Sequence, residues 1–345
     1  MQSSDCRWIH GIFMLALVLG LTAGSPPVAR AENPEQFYKG KTIDWVVSSG
    51  RAGDTTDFIT RIISPYLAEF TGANVKVENM GSSKGINHVY TKTKPDGLTL
   101  VTKATTAAMA NYVLKAPGVR YDIEKYSYIA DVLPDFGAFV LSPKSKYKNI
   151  EELRKATGLK AGATTVKGRG ATGAAVMFEI LGLNGKVITG YQGKKGATLA
   201  LARGEVDTSF GSDATAVELM KSGNGVPLFI AADQRSALLP DLPTLAELGV
   251  KIPAHLEDAF NFVGVSGKMV AATPGTPADR IAYLRGIFQK ISQIKKFQDE
   301  VKNWAGAWLG FIPGEKLHQY MIKMKSNKDL AKQIDDIMVK YTAVK

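Results

Sequence analysis

Two stretches of small and hydroxylated residues in this 345-residue chain have the make-up of an anion cradle. The first is Ser48-Ser49-Gly50-Arg51-Ala52-Gly53-Asp54-Thr55-Thr56-Asp57. Its small residues let backbone N–H groups face outward, and it precedes a helical pattern whose unpaired N–H groups and dipole favour a negative charge. A carboxylate-bearing small molecule is the ligand this chemistry suits. The second stretch, Val166-Lys167-Gly168-Arg169-Gly170-Ala171-Thr172, repeats the theme and adds two cations. Two such loops on separate α/β units predict a cleft with one anion loop on each wall.

The flanking elements position both loops. Ile43, Trp45, Val46 and Val47 form a short apolar run of the kind a buried parallel strand requires. Phe58, Ile59, Ile62, Ile63, Tyr66, Leu67 and Phe70 then recur at helical spacing, with Asp54 or Thr55 as the cap. Pro65 falls inside that pattern and should kink the helix or leave a carbonyl near Arg61 unpaired. Val75 and Val77 mark a second strand, Asn79–Gly85 a loop and Ile86–Thr93 a short helix. Leu98–Thr102 is a third strand, after which Lys103-Ala-Thr-Thr106 is another small polar loop opening a helix. This βαβαβ order predicts a parallel sheet with ligand loops at the strand C-terminal ends.

Around the second loop, Lys160–Thr165 reads as a strand and Gly173–Leu181 as a helix stopped by Gly182. Asn149 with Glu152 makes a capping box for a helix over Ile150–Ala156. Extended segments around Pro134-Asp135 read as a first crossing between domains, and an extended Asp258–Val265 as the return. Thr276-Pro277 opens a long helix to about Ile294, and two more helices follow Gly314. The fold expected is α/β with two domains, each a mainly parallel sheet flanked by helices. Residues 32–133 and 260–345 would form the first, with the C-terminal helices packing back on it, and 134–259 the second.

Residues 1–31 read as a secretory leader. Arg7 and His10 precede an apolar run over Ile12–Leu21, and Ala29-Arg30-Ala31 supplies a cleavage pattern ending at Ala31. The one cysteine, Cys6, precedes that run, so the exported chain would hold no disulfide and rely on a large core. No second long apolar run follows, so the exported chain is expected to be soluble. The formal charge of +11 attracts anions of any kind. Its lysines are scattered, so small anionic solutes fit better than nucleic acid, which is not an expected partner.

Enzyme chemistry is poorly provided for. Of four histidines, His10 lies in the leader, and His88, His255 and His318 sit in separate contexts. The chain has no H-x-x-x-H metal spacing, and Gly81-Ser82-Ser83-Lys84-Gly85, which has the letters G-x-S-x-G, reads as part of a flexible loop. Lys167-Gly-Arg-Gly-Ala-Thr-Gly173 only approaches a dinucleotide fingerprint. No catalytic residue, metal or cofactor is expected; an exported enzyme acting on a small anion is the alternative reading.

The order of features resembles the solute receptors of tripartite tricarboxylate transporters, the Bug receptors. The resemblance rests on Gly40-Lys-Thr-Ile-Asp-Trp-Val-Val47, Asp57, Val77-Glu78-Asn79 and Lys94-Pro-Asp-Gly-Leu-Thr-Leu100. It continues in Tyr191-Gln192-Gly193, Ala202-Arg-Gly-Glu-Val-Asp207 with Phe210, Leu239-Pro-Asp-Leu-Pro-Thr-Leu-Ala-Glu247 and Ala272-Thr-Pro-Gly-Thr-Pro277. These cover most of the chain after the leader.

The resemblance implies a periplasmic, monomeric binding protein of type II-like fold, closing by a hinge on a small organic acid, a mono- or dicarboxylate. It implies delivery of that acid to integral-membrane transporter subunits. Backbone amides of Ser48, Ser49, Gly50, Gly53, Thr55 and Thr56, and of Gly168, Gly170, Ala171 and Thr172, would hold a carboxylate. Arg51, Lys167 and Arg169 would serve a second acidic group. The family's run of Pro and consecutive Gly in the first loop is replaced here by Ser48-Ser49-Gly50-Arg51-Ala52-Gly53. Where members carry an Asp after the strand Phe, this chain has Gly211, with Asp213 two residues on as the expected counterpart.

Overall fold

Strands and helices in the computed structural model, which describes residues 33–49 and 52–342, follow the apolar runs of the sequence. The leader with its cleavage point, and Gly50 and Arg51, lie outside the described residues. The first elements are α1 (Pro34–Tyr38), β1 (Thr42–Ser49), α2 (Thr55–Thr71), β2 (Asn74–Gly81), α3 (Ser82–Lys92), β3 (Thr99–Ala104) and α4 (Thr105–Val113). A long strand, β4 (Ser127–Leu141), leads to α5 (Ile150–Lys155), β5 (Leu159–Gly162), α6 (Arg169–Leu181), β6 (Gly185–Ile188) and α7 (Gly193–Arg203). Then come β7 (Thr208–Ser212), α8 (Asp213–Lys221), β8 (Val226–Ala231), α9 (Glu257–Gly264) and β9 (Val265–Ala272). The chain ends with α10 (Ala278–Gln293), α11 (Lys295–Ala305), β10 (Phe311–Pro313), α12 (Gly314–Ser326) and α13 (Leu330–Tyr341).

One strand organises the sheet. The first half of β4 pairs antiparallel with β9 and β10, and its second half pairs antiparallel with β7 and β8. Outward from it, β1 pairs parallel with β2 and β3, and β5 pairs parallel with β6 and β7. The ladders are thus parallel where strand alternates with helix and antiparallel where β4 and β9 run back between the halves. Between those halves β4 breaks register, and Leu133 takes φ 53°, a left-handed conformation unusual for a side-chain-bearing residue.

Three readings change. The segment expected to return as an extended crossing is helical: α9 opens on Glu257 and Asp258 and buries Ala259, Phe260, Phe262 and Val263 on one side. The C-terminal helices do not both pack on the first half. α12 lies against β4 and α4, whereas α13 lies along α6, with Lys340 Nζ 2.6 Å from Glu179 Oε2. Pro65 lies inside a continuous α2 and orphans no carbonyl, because Ser64 Oγ donates to Arg61 O at 3.1 Å in place of the missing N–H.

The core forms in three clusters. One runs along a single face through both halves, from Val46 and Val101 past Phe139 and Phe178 to Leu317 and Ile334. A second lies under α2, α10 and α11, and a third under α7 and α8. Each fully buried side chain such as Ile43 or Leu67 contributes about 1.5–3 kcal/mol. Trp45, also buried, donates its indole N–H to Thr102 Oγ1 at 2.7 Å, so its one polar atom is satisfied.

Candidate functional site

The loop after β1 is built around the chain's own carboxylates. Asp54 caps α2, accepting the N–H groups of Thr56 and Asp57. Asp57, buried in the first turn, accepts Gly53 N at 2.7 Å, Arg61 Nε at 2.8 Å and Asn79 Nδ2 at 3.0 Å. Burial pushes its carboxyl up, but those donors together hold it below the ordinary carboxylate range. Ser48 is likewise engaged: its Oγ accepts Ile86 N at 2.9 Å, and a Cβ on Gly85 would sit 2.9 Å from the Ser48 Cβ. Beneath the loop, Lys103 Nζ reaches Ser48 O at 3.4 Å, and burial lowers this lysine to about 8 against the pull of Asp54. The α2 end of the field is therefore already furnished with negative charge.

Two other helix starts are furnished differently. β3 runs straight into α4 through Ala104, and α6 follows Gly168; neither cap residue makes a side-chain hydrogen bond, and neither first turn carries an acid. Thr106 and Ala107 of α4 share one cavity of about 210 Å³ with Lys167, Gly168, Arg169 and Thr172 around the start of α6. Asn111 adds an amide to its wall, and Phe262 and Val263 of α9 add apolar surface. Helix N-termini with uncapped N–H groups are a ready anion site, and two on one cavity reinforce each other.

Of the residues read from sequence, the structure brings Lys167, Gly168, Arg169 and Thr172 to this cavity. Ser48, Ser49, Gly53, Thr55 and Thr56 belong instead to the loop organised by Asp57. Gly170 lines a neighbouring recess of about 200 Å³ with Thr164, Ser209, Gly211 and Thr215. Ala171 is fully buried against the core, and Gly173 lies so close to the Phe210 ring that a Cβ would sit 2.1 Å from it. Asp213 is buried, accepting Ser236 Oγ at 2.6 Å and Ala214 N at 2.8 Å, and burial raises its carboxyl. Thr106, Ala107 and Asn111 also line the cavity between α4 and α6 and were not read as site residues; the signal for Thr106 was the small polar stretch Lys103-Ala-Thr-Thr106.

The cations also differ from expectation. Lys167 Nζ lies 3.4 Å from Asp335 Oδ1 with both groups mostly exposed, a pair worth little by itself. Arg169 is committed inside the protein: its guanidinium pairs with Asp135 and donates to Val263 O at 3.1 Å and Gly264 O at 3.3 Å. Lys268 Nζ stands 3.7 Å from the other Asp135 oxygen. Burial alone would raise Asp135, yet Arg169 and Lys268 hold it below the usual carboxylate range.

Two further cavities lie elsewhere. A groove of about 590 Å³ opens at the starts of β5 and β6, lined by Lys160, Lys186 and Lys340, at the strand ends opposite the helix N-termini. A cavity of about 370 Å³ behind β4 touches Asp131, whose Oδ2 accepts Thr105 Oγ1 at 2.6 Å. Of the described histidines, His318 is held by its ring, with Nε2 2.7 Å from Glu124 O, while His88 lies on α3 and His255 just ahead of α9.

A model of the family described as "Tripartite tricarboxylate transporter family receptor" matches residues 59–305. Protein BugT of Bordetella pertussis is 25% identical over 245 residues, which are 68% of this chain and 74% of that protein. Among solved structures, a TctC solute binding protein from Polaromonas without ligand aligns with TM-score 0.72 at 20% identity, covering 87% of this chain and 99% of the other. A Rhodopseudomonas palustris protein solved with adipate aligns at 0.62 and 19% identity, covering 85% and 97%. MatC of the same organism, solved with bound malate, aligns at 0.59 and 20% identity, covering 86% and 99%. These likenesses show the periplasmic solute-binding fold.

Proposed function

This chain belongs to the tripartite tricarboxylate transporter receptor family, and on that premise we propose that it is an exported receptor for a small organic acid. The ligand carboxylate sits in the cavity between the first turns of α4 and α6, and the receptor hands it to membrane transporter subunits. The observation that carries this reading is the pairing, on one cavity, of two helix N-termini that have no side-chain cap and no acidic residue in their own first turns. Charge-assisted hydrogen bonds of about 1.5–3 kcal/mol each, from three or four amides, suffice for micromolar binding near −8 kcal/mol.

Several finer statements accompany it. The leader is removed after Ala31, and the mature protein works in the periplasm as a monomer. Among the described residues no helix is long and apolar enough to cross a membrane, which fits delivery to a separate membrane component. The two halves, built mainly on 32–133 with 260–326 and on 134–259 with α13, close over the acid by bending at β4 and at the junction of α9 with β9. Structural neighbours solved with malate and with adipate make diacids the first probes to try.

A melting screen over mono- and dicarboxylates, aromatic acids, sugars and neutral amides tests the proposal. Organic acids at about 100 times their dissociation constant should add roughly 2.7 kcal/mol and raise the melting temperature by several degrees. A shift with sugars or neutral amides and none with any acid would overturn it, and turnover of a hit would favour an exported enzyme.

A further inference from the structure

Arg169 touches both chain segments that cross between the sheet halves. On the first crossing it pairs with Asp135, two residues beyond Leu133 with its φ of 53° and just after the register break in β4. On the second it donates to the carbonyls of Val263 and Gly264, the last residues of α9. Carbonyls at a helix C-terminus have no partner within the helix, so a guanidinium there is both a cap and a favourable charge. The second crossing is tight, since a Cβ on Gly264 would lie 2.2 Å from Ala231 O of β8. Lys268 of β9 closes the cluster on Asp135. Arg169 is itself the first residue of α6, the helix whose start lines the cavity.

We infer that Arg169 is a positioning residue that pins both crossings to the head of α6 and so sets the relative placement of the two sheet halves. It is not the group that receives a second acid of the ligand. A planar guanidinium with five donors in a fixed fork can serve a carboxylate and two carbonyls together, with a spread and rigidity that the compact ammonium of lysine lacks. The pin deepens the receptor reading only in the choice of ligand probes; its effect on the halves is measurable with no ligand present.

The test uses the mature chain, whose one cysteine, Cys6, falls in the leader. Spin labels go on Lys76→Cys of β2 and Lys186→Cys of β6, exposed residues on strands at the two ends of the sheet order. Electron–electron resonance then gives the distance distribution for the parent and for Arg169→Met, Arg169→Lys, Asp135→Asn and the Arg169→Met/Asp135→Asn pair. The pin predicts a broadened or shifted distribution for Arg169→Met and for Asp135→Asn, no further change in the double variant, and partial rescue by lysine. Unchanged distributions in both single variants would overturn it. If Arg169→Met fails to fold by circular dichroism, Asp135→Asn and Arg169→Lys carry the test. In titrations, Arg169→Met and Asp135→Asn should weaken adipate and hexanoate by a common factor of about ten. Loss of adipate alone in Arg169→Met, with Asp135→Asn unaffected, would make Arg169 a ligand group instead. Should neither acid bind the parent, the receptor reading falls while the distance measurement still decides the pin.

Discussion

Thr106 Oγ1 and Ser266 Oγ lie 2.8 Å apart, joining the first turn of α4 to the strand that returns from the second sheet half. One hydroxyl belongs to the wall of the cavity between α4 and α6 and the other to the second residue of β9, just past the crossing. On the proposed reading, a ligand held at α4 would be coupled to the crossing in part through this hydrogen bond.

Ser266→Ala should therefore cost about 0.5–1.5 kcal/mol, the usual net value of one such bond, because Ser266 is buried. The urea midpoint should fall with an unchanged m-value, and affinity for an organic acid should drop a few-fold. An affinity that stays at the parent value while the midpoint falls would uncouple the crossing from the cavity.

Asp131 gives stability a dependence on pH. Burial lifts its carboxyl from 3.8 to about 7, although the Thr105 hydroxyl and the Lys268 charge oppose the rise. The folded chain thus binds this proton where the unfolded chain has released it. Its contribution is fully present below pH 3.8 and is lost as pH rises through about 7. Asp131→Asn should flatten the melting temperature between those limits and exceed the parent at pH 8. An unaltered slope would place that proton on another group.

Asp57 acts in the opposite sense. Its depressed folded value means that its contribution is present above the ordinary 3.8 and is lost as pH falls through the folded value. Asp57→Ala removes the shared acceptor of Arg61, Asn79 and the Gly53 N–H; since Arg61 and Gly53 face solvent, it should cost about 1–2 kcal/mol at pH 7. Urea denaturation at pH 7 and at pH 2 checks this: the gap between parent and variant should shrink in acid.

Much of the fold was legible because its signals are local. The strand–loop–helix units, the Asn149 cap and the Gly182 stop all lie within a few residues of the pattern that reveals them. Reading α9 as extended missed the helix-start acids Glu257 and Asp258, outweighed by the apolar residues after them. The roles of Arg169 and Asp57 were not legible. Arg169 meets Asp135 and α9 only once β4 and α6 are packed, and sequence spacing carries no record of that meeting. Nothing in the composition of the first loop says that Asp54 and Asp57 accept its own N–H groups. Charge alone named the cations; tertiary packing decided which were already spent.

The claim that a carboxylate is held by the first turns of α4 and α6 is tested most directly by amide proton shifts in a ¹⁵N-labelled mature chain titrated with adipate. Thr106, Ala107, Arg169 and Gly170 should move downfield together and saturate on one binding curve, as N–H groups newly bonded to an anion do. Saturating shifts confined to Gly53–Thr56, or to the lysine-lined groove at Lys160 and Lys186, with the α4 and α6 amides unmoved, would contradict it.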